Sequence, residues 1–108
     1  MSLLASRPEA LPTDAKLVGL WPARLTFETR SCLLPGTEVS FQLVLEGHAL
    51  PLTLVSEACL VIARDRQGYV FHTQLSLEPL SQSDRQLVAL FIQKGRGAPR
   101  LERLAPTR

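Results

Sequence analysis

Glu38-Val39-Ser40-Phe41-Gln42-Leu43-Val44-Leu45-Glu46 is the stretch from which the fold can be read. Val39, Phe41, Leu43 and Leu45 fall on one side of an extended chain and Glu38, Ser40, Gln42 and Glu46 on the other. This is the period of a strand with one face against a core and one in water. Glu46-Gly47-His48 follows as a tight turn, so the chain must come back antiparallel. The returning segment, Ala49 to Ala63, is long and apolar. Leu52 and Leu54 keep the alternation, but Ser56, Glu57 and Ala58 blur it and predict a bulge or sharp bend where the sheet curls. Leu60-Val61-Ile62 then resumes as a strand with side chains expected to be buried on both faces. Arg64-Asp65-Arg66-Gln67-Gly68 reads as a solvated hairpin loop, and Tyr69, Phe71, Thr73 and Leu75 mark the next alternating strand.

Upstream, Ala15 to Leu20 has the apolar content of a short strand, and Pro22 interrupts it because proline has no N–H for a ladder. Leu25 and Phe27 alternate with Thr26 and Glu28, and Leu33-Leu34-Pro35-Gly36 ends that element in a turn. Residues 1–14 contain Pro8 and Pro12 and show no sustained period, as expected of a flexible lead-in. Downstream, Ser83-Asp84-Arg85-Gln86 has the form of a capping box. Leu87, Leu90, Phe91 and Lys94 continue at helical spacing, which predicts one short amphipathic helix ended by Gly95 or Gly97. Residues 95–108 read as a flexible basic tail. Turn signals about every ten residues favour closure, which removes exposed edges. The expectation is a mainly β protein: a small six-stranded antiparallel barrel over residues 15–94, with one C-terminal α-helix plugging an end.

The chain has 108 residues, 45% of them hydrophobic, enough for a single small core. Its net charge is +2, its lysines are Lys16 and Lys94, and its arginines gather towards the end as Arg96, Arg100, Arg103 and Arg108. A nucleic-acid groove calls for a denser basic face than this. Cys32 and Cys59 make neither a disulfide framework nor a zinc spacing, and a reducing, cytoplasmic setting is expected. No window approaches the ~20 apolar residues of a membrane span, and no basic-then-apolar leader is evident.

Leu17-Val18-Gly19-Leu20-Trp21-Pro22-Ala23-Arg24-Leu25-Thr26-Phe27-Glu28, followed by the Pro35-Gly36 turn and the long alternating strand, resembles the middle of a PilZ domain. Asp84-Arg85-Gln86-Leu87 and Phe91-Ile92 resemble that family's closing helix, so the likeness covers about Lys16 to Lys94. PilZ domains are bacterial receptors for cyclic di-GMP, and the resemblance implies the barrel and helix described above. It also implies a ligand motif, (Asp/Asn)-x-Ser-x-x-Gly, whose positions are held here by Gly19, Trp21 and Arg24. Gly19 has no carboxylate or amide, Trp21 replaces a hydroxyl with an indole N–H, and Arg24 fills space that glycine leaves open. The family's Arg-x-x-x-Arg segment before the barrel is also missing, since Arg7 is followed four residues later by Leu11. Without both halves, most of the charge-assisted hydrogen bonds to the dinucleotide are lost, each of about 1.5–3 kcal/mol.

A catalytic reading finds no nucleophile with a base, no carboxylate pair and no metal-ligand spacing. His48 belongs to a turn and His72 to the wet face of its strand. Cys32 lies near Arg30, but one cation is too little to make a reactive thiol. The functional expectation is therefore a non-enzymatic signalling adaptor without cofactor or metal, acting through a protein partner. Its contact surface is expected around Trp21, Arg24 and Arg30, because an aromatic beside arginine is a frequent interface anchor. The alternative is an atypical cyclic di-GMP receptor in which Arg24, Arg96 and Arg100 meet the anion, the last two having Arg-x-x-x-Arg spacing. Leu-rich strands on a small barrel are also compatible with a homodimer.

Overall fold

A computed structural model describes residues 8–94 and 97–104. The chain runs β1 (Glu9–Ala10), β2 (Lys16–Trp21), β3 (Arg24–Thr29), β4 (Glu38–Leu45), β5 (His48–Asp65), β6 (Gly68–Ser76), α1 (Gln82–Lys94) and β7 (Arg100–Glu102). The expectation of a mainly β chain with one helix holds. The expectation of six antiparallel strands closed into a barrel does not: among the described residues the sheet has seven strands in the order β1-β4-β5-β6-β3-β2, with β7 also on β4, and it stays open. β1 runs parallel to β4, whereas β7 runs antiparallel to the other half of the same edge.

The alternation that defines β4 is carried through without error. Val39, Phe41, Leu43 and Leu45 are all buried, together with Leu25, Phe27, Leu54 and Leu75 from the neighbouring strands. Glu46 and Gly47 both take positive φ, 44° and 90°, so they form the two-residue turn whose twist matches a tight hairpin into β5. β5 is the spine of the molecule. Its first half pairs with β4 as far as Glu38↔Val55, and its second half pairs with β6 from Ser56↔Leu75 onward. The bulge between Ser56 and Ala58 lies at that change of partner, where the sequence loses its alternation. There Ser56 receives and donates backbone bonds with Gly36 and Thr37, and its Oγ donates to the Leu33 carbonyl at 3.1 Å.

Several expectations need correction. The lead-in contributes β1, and Leu11, only 2% exposed, belongs to the core, because a short segment can dock once β4 offers it an edge. The tail likewise forms β7 on β4, with Leu101 against the core. The helix cap is Ser81 rather than Ser83: its Oγ accepts from the Asp84 N–H at 3.2 Å, and its carbonyl takes the Arg85 N–H at 2.9 Å. Val88 is the helix residue that is fully buried, with Leu87, Phe91 and Ile92 partly so, while Leu90 faces water. Phe91 and Ile92 line the same groove as Leu17–Leu20 and Gly97–Pro99. The helix end thus lies against β2, which itself approaches β7. Finally, Leu60, Val61 and Ile62 are half exposed instead of buried on both faces, because β5 outruns β4 and no strand among the described residues covers that edge of its far end. No described helix is long and apolar enough to cross a membrane.

Candidate functional site

The hairpin between β2 and β3 carries Gly19, Trp21 and Arg24. Trp21 and Arg24 are cross-strand partners, and Pro22-Ala23 is the loop between them. Pro22 costs no ladder bond there, and the Ala23 carbonyl accepts the Leu77 N–H at 2.9 Å, which anchors the turn to the segment after β6. Gly19 and Trp21 lie two apart on the strand and therefore share a face. The indole is laid back across Gly19: a Cβ at that position would come within 2.5 Å of Trp21 Cζ3 and closer still to Cη2. Gly19 thus serves as the seat of the tryptophan ring.

The consequence is a shallow rim. Trp21 remains 52% exposed, and a groove of about 340 Å³ is bounded by Trp21, Pro22, Ala23, Arg24, Thr26 and Gln74. Arg24 is exposed and has no ion pair among the described residues. An indole face beside an uncommitted guanidinium can stack on a flat group and offer forked donors to an acid.

Arg30 is not part of this patch. It follows β3 at the end opposite Arg24, six residues and roughly 20 Å away along an extended strand. It is also occupied. Its Nη1 and Nη2 donate to the two Asp65 carboxylate oxygens at 2.6 and 2.7 Å, and its backbone N–H donates to Asp14 Oδ2 at 2.7 Å. The hydrogen bond from Arg30 is the largest cause holding the Asp65 carboxyl at about 2, with a second from the Gln67 N–H. Arg30 is a clamp between the β5–β6 hairpin and the segment leaving β3, so it is unsuited to receiving an outside anion.

The tail arginines are also separated from Arg24. Arg96 lies outside the described residues. Arg100 sits in β7 opposite Val44, and its Nε donates to Glu102 Oε2 at 2.8 Å. The groove bordered by Gly97–Pro99 does not include Arg24. Fixed in a strand, Arg100 cannot fold back as a loose arm.

His48 opens β5 and is exposed, while the ring of His72 lies 3.1 Å from Glu28 Oε1 as its cross-strand partner. The Cys32 thiol has its pKa raised, mainly by a hydrogen bond with Cys59 and then by burial, which makes it less reactive. Among the described residues no group of three or more His, Cys, Asp or Glu side chains could hold a metal. The Gly19–Trp21 seat was open to sequence reading through its i, i+2 spacing. The Arg30–Asp65 clamp had no such signal, since its members are 35 residues apart. No family model, curated protein or solved structure gives a significant match to this chain.

Proposed function

We propose that this chain is a PilZ-like adaptor that does not hold cyclic di-GMP in the usual way and acts through a protein partner at the Trp21–Arg24 rim. The observation that carries this reading is the half-exposed indole seated on Gly19 beside a guanidinium that has no ion pair among the described residues. At the three motif positions the family's acid or amide, hydroxyl and bare glycine have become a seat, a ring and a cation. That set suits an aromatic or acidic protein surface better than two phosphates. No catalytic role is assigned.

Calorimetry with cyclic di-GMP should give no saturable heat, and micromolar binding would overturn this half of the reading. Its rival, reception through Arg24, Arg96 and Arg100, would then require Arg24→Ala and Arg100→Ala each to weaken that binding. Cutting the chain after Lys94 is a poor substitute, because it removes β7 and Leu101 from the fold. For the partner half, wild-type protein should retain a lysate component that Trp21→Ala loses. Equal retention by both would move the contact elsewhere.

A further inference from the structure

The segment that joins β3 to β4 has to travel from the end of β3 past β6 to β5, because β3 is paired with β6 and β4 with β5. The register shows which side chains it meets. Phe27, Thr73 and Cys59 stand in one row across β3, β6 and β5, and Leu25, Leu75 and Ser56 in another. Directly paired residues share a face, so Cys59 lies on the same side of the sheet as the buried Phe27, Thr73 and Ser56. Thr73 Oγ1 donates to Cys59 Sγ at 3.6 Å, which fixes the direction of that side chain. The joining segment is anchored to the same side at two points: Thr29 Oγ1 donates to the Ser31 carbonyl at 2.6 Å, and Ser56 Oγ donates to the Leu33 carbonyl at 3.1 Å. Cys32 stands between those anchors. Its thiol hydrogen-bonds with Cys59, and both cysteines are free, Cys32 exposed and Cys59 half-buried.

We propose that Cys32 and Cys59 are a thiol pair that closes to a disulfide when the chain meets a low-molecular-mass disulfide such as oxidised glutathione. Exposure sets the order of events. The Cys32 thiolate attacks one sulfur of the reagent, a mixed disulfide forms, and one reagent thiolate leaves. The Cys59 thiolate then attacks Cys32 Sγ, the bond between the two cysteines forms, and the second reagent thiolate leaves. The two cysteine protons pass through solvent to the departing thiolates, and the two electrons given up by the cysteines reduce the reagent. The raised pKa of Cys32 makes it a slow attacker and a poor leaving group, so the bond forms slowly and resists reduction once made. The Arg30–Asp65 ion pair and the bond from Ser56 to Leu33 already hold the flanks, so closure demands little backbone movement. The bond fastens the connection between β3 and β4 to the half of β5 that β4 does not reach. It is independent of what the Trp21 rim binds.

The test is to equilibrate the full chain in glutathione buffers of rising oxidised content, with and without denaturing urea, and to measure free thiols and unreduced intact mass. The folded wild type should lose both thiols and two hydrogens as a single chain, with no glutathione retained. At fixed reduced glutathione, half-closure should need at least roughly tenfold less oxidised glutathione in the folded chain than in urea, since the fold holds the sulfurs together. Cys59→Ser, its fold verified by the emission of Trp21, should stop with glutathione on Cys32. Mixed disulfides at both cysteines of the folded wild type, or chains linked to one another, would overturn the proposal. So would closure no easier than in urea, or a Cys59→Ser variant that takes up no glutathione.

Discussion

Replacing Gly19 by alanine is the most direct probe of how the rim is built. The new Cβ would lie within 2.5 Å of Trp21 Cζ3, whereas carbon atoms in comfortable contact are about 3.5–4.0 Å apart, so the ring must retreat by at least ~1 Å. The ring is the far end of a side chain and can swing away without breaking β2. Full burial of tryptophan covers about 150–250 Å², and this one is half exposed, so leaving its seat uncovers roughly 100 Å², or about 2.5 kcal/mol. Alanine recovers about 0.5–1 kcal/mol by stiffening the strand, which leaves a net loss of no more than ~2 kcal/mol. Trp21 is the single tryptophan, so its emission reports the ring directly. Gly19→Ala should shift the folded protein's emission to the red and raise quenching by acrylamide, with a small drop in the urea midpoint. A folded variant whose emission and quenching match the wild type would refute the seating of the indole on Gly19.

Leu11→Ala should cost about 2–5 kcal/mol in urea unfolding, as expected for a fully buried leucine, and a cost below ~0.5 kcal/mol would return the residues around it to a peripheral lead-in. The Asp65 carboxyl is lowered on folding from 3.8 to about 2, chiefly by Arg30. Its contribution is therefore complete above the unfolded value of about 4 and fades as pH falls from there through about 2. Asp65→Asn should flatten that part of the acid limb, measured as urea midpoints across the interval, and an unchanged limb would show that the pair is not coupled to folding.

Elements with strong local signals were legible in the chain. β4 follows from strict alternation, the hairpin into β5 from Glu46-Gly47, and the bend of β5 from the broken pattern at Ser56-Glu57-Ala58. The helix is legible as well, but the capping box that Gln86 completes with Ser83 puts its start too late. Ser81 has the same offset to Asp84 and is the residue that caps. At the site, Trp21 and Arg24 are cross-strand partners in one hairpin. Grouping Arg30 with them did not survive, because the length of β3 holds it at the other end and Asp65 takes its guanidinium.

Side-chain periodicity acts over a few residues, so the order of side chains was enough to fix which face of β4 is wet and which is dry and where the chain turns, but not in β3, where Thr26 is buried, nor at the start of β6, where Tyr69 is exposed and Val70 buried. Whether an edge is covered depends on strand lengths and on segments distant in the chain. Leu11 and Leu101 become structural only because β4 has an edge to spare, and Leu60-Val61-Ile62 stands open because pairing with β4 stops at Val55, ten residues before β5 does. An apolar triplet looks alike in sequence whether it lines a core or an open edge. The difference arises when the sheet assembles around it, because burial depends on the neighbours a residue acquires in three dimensions.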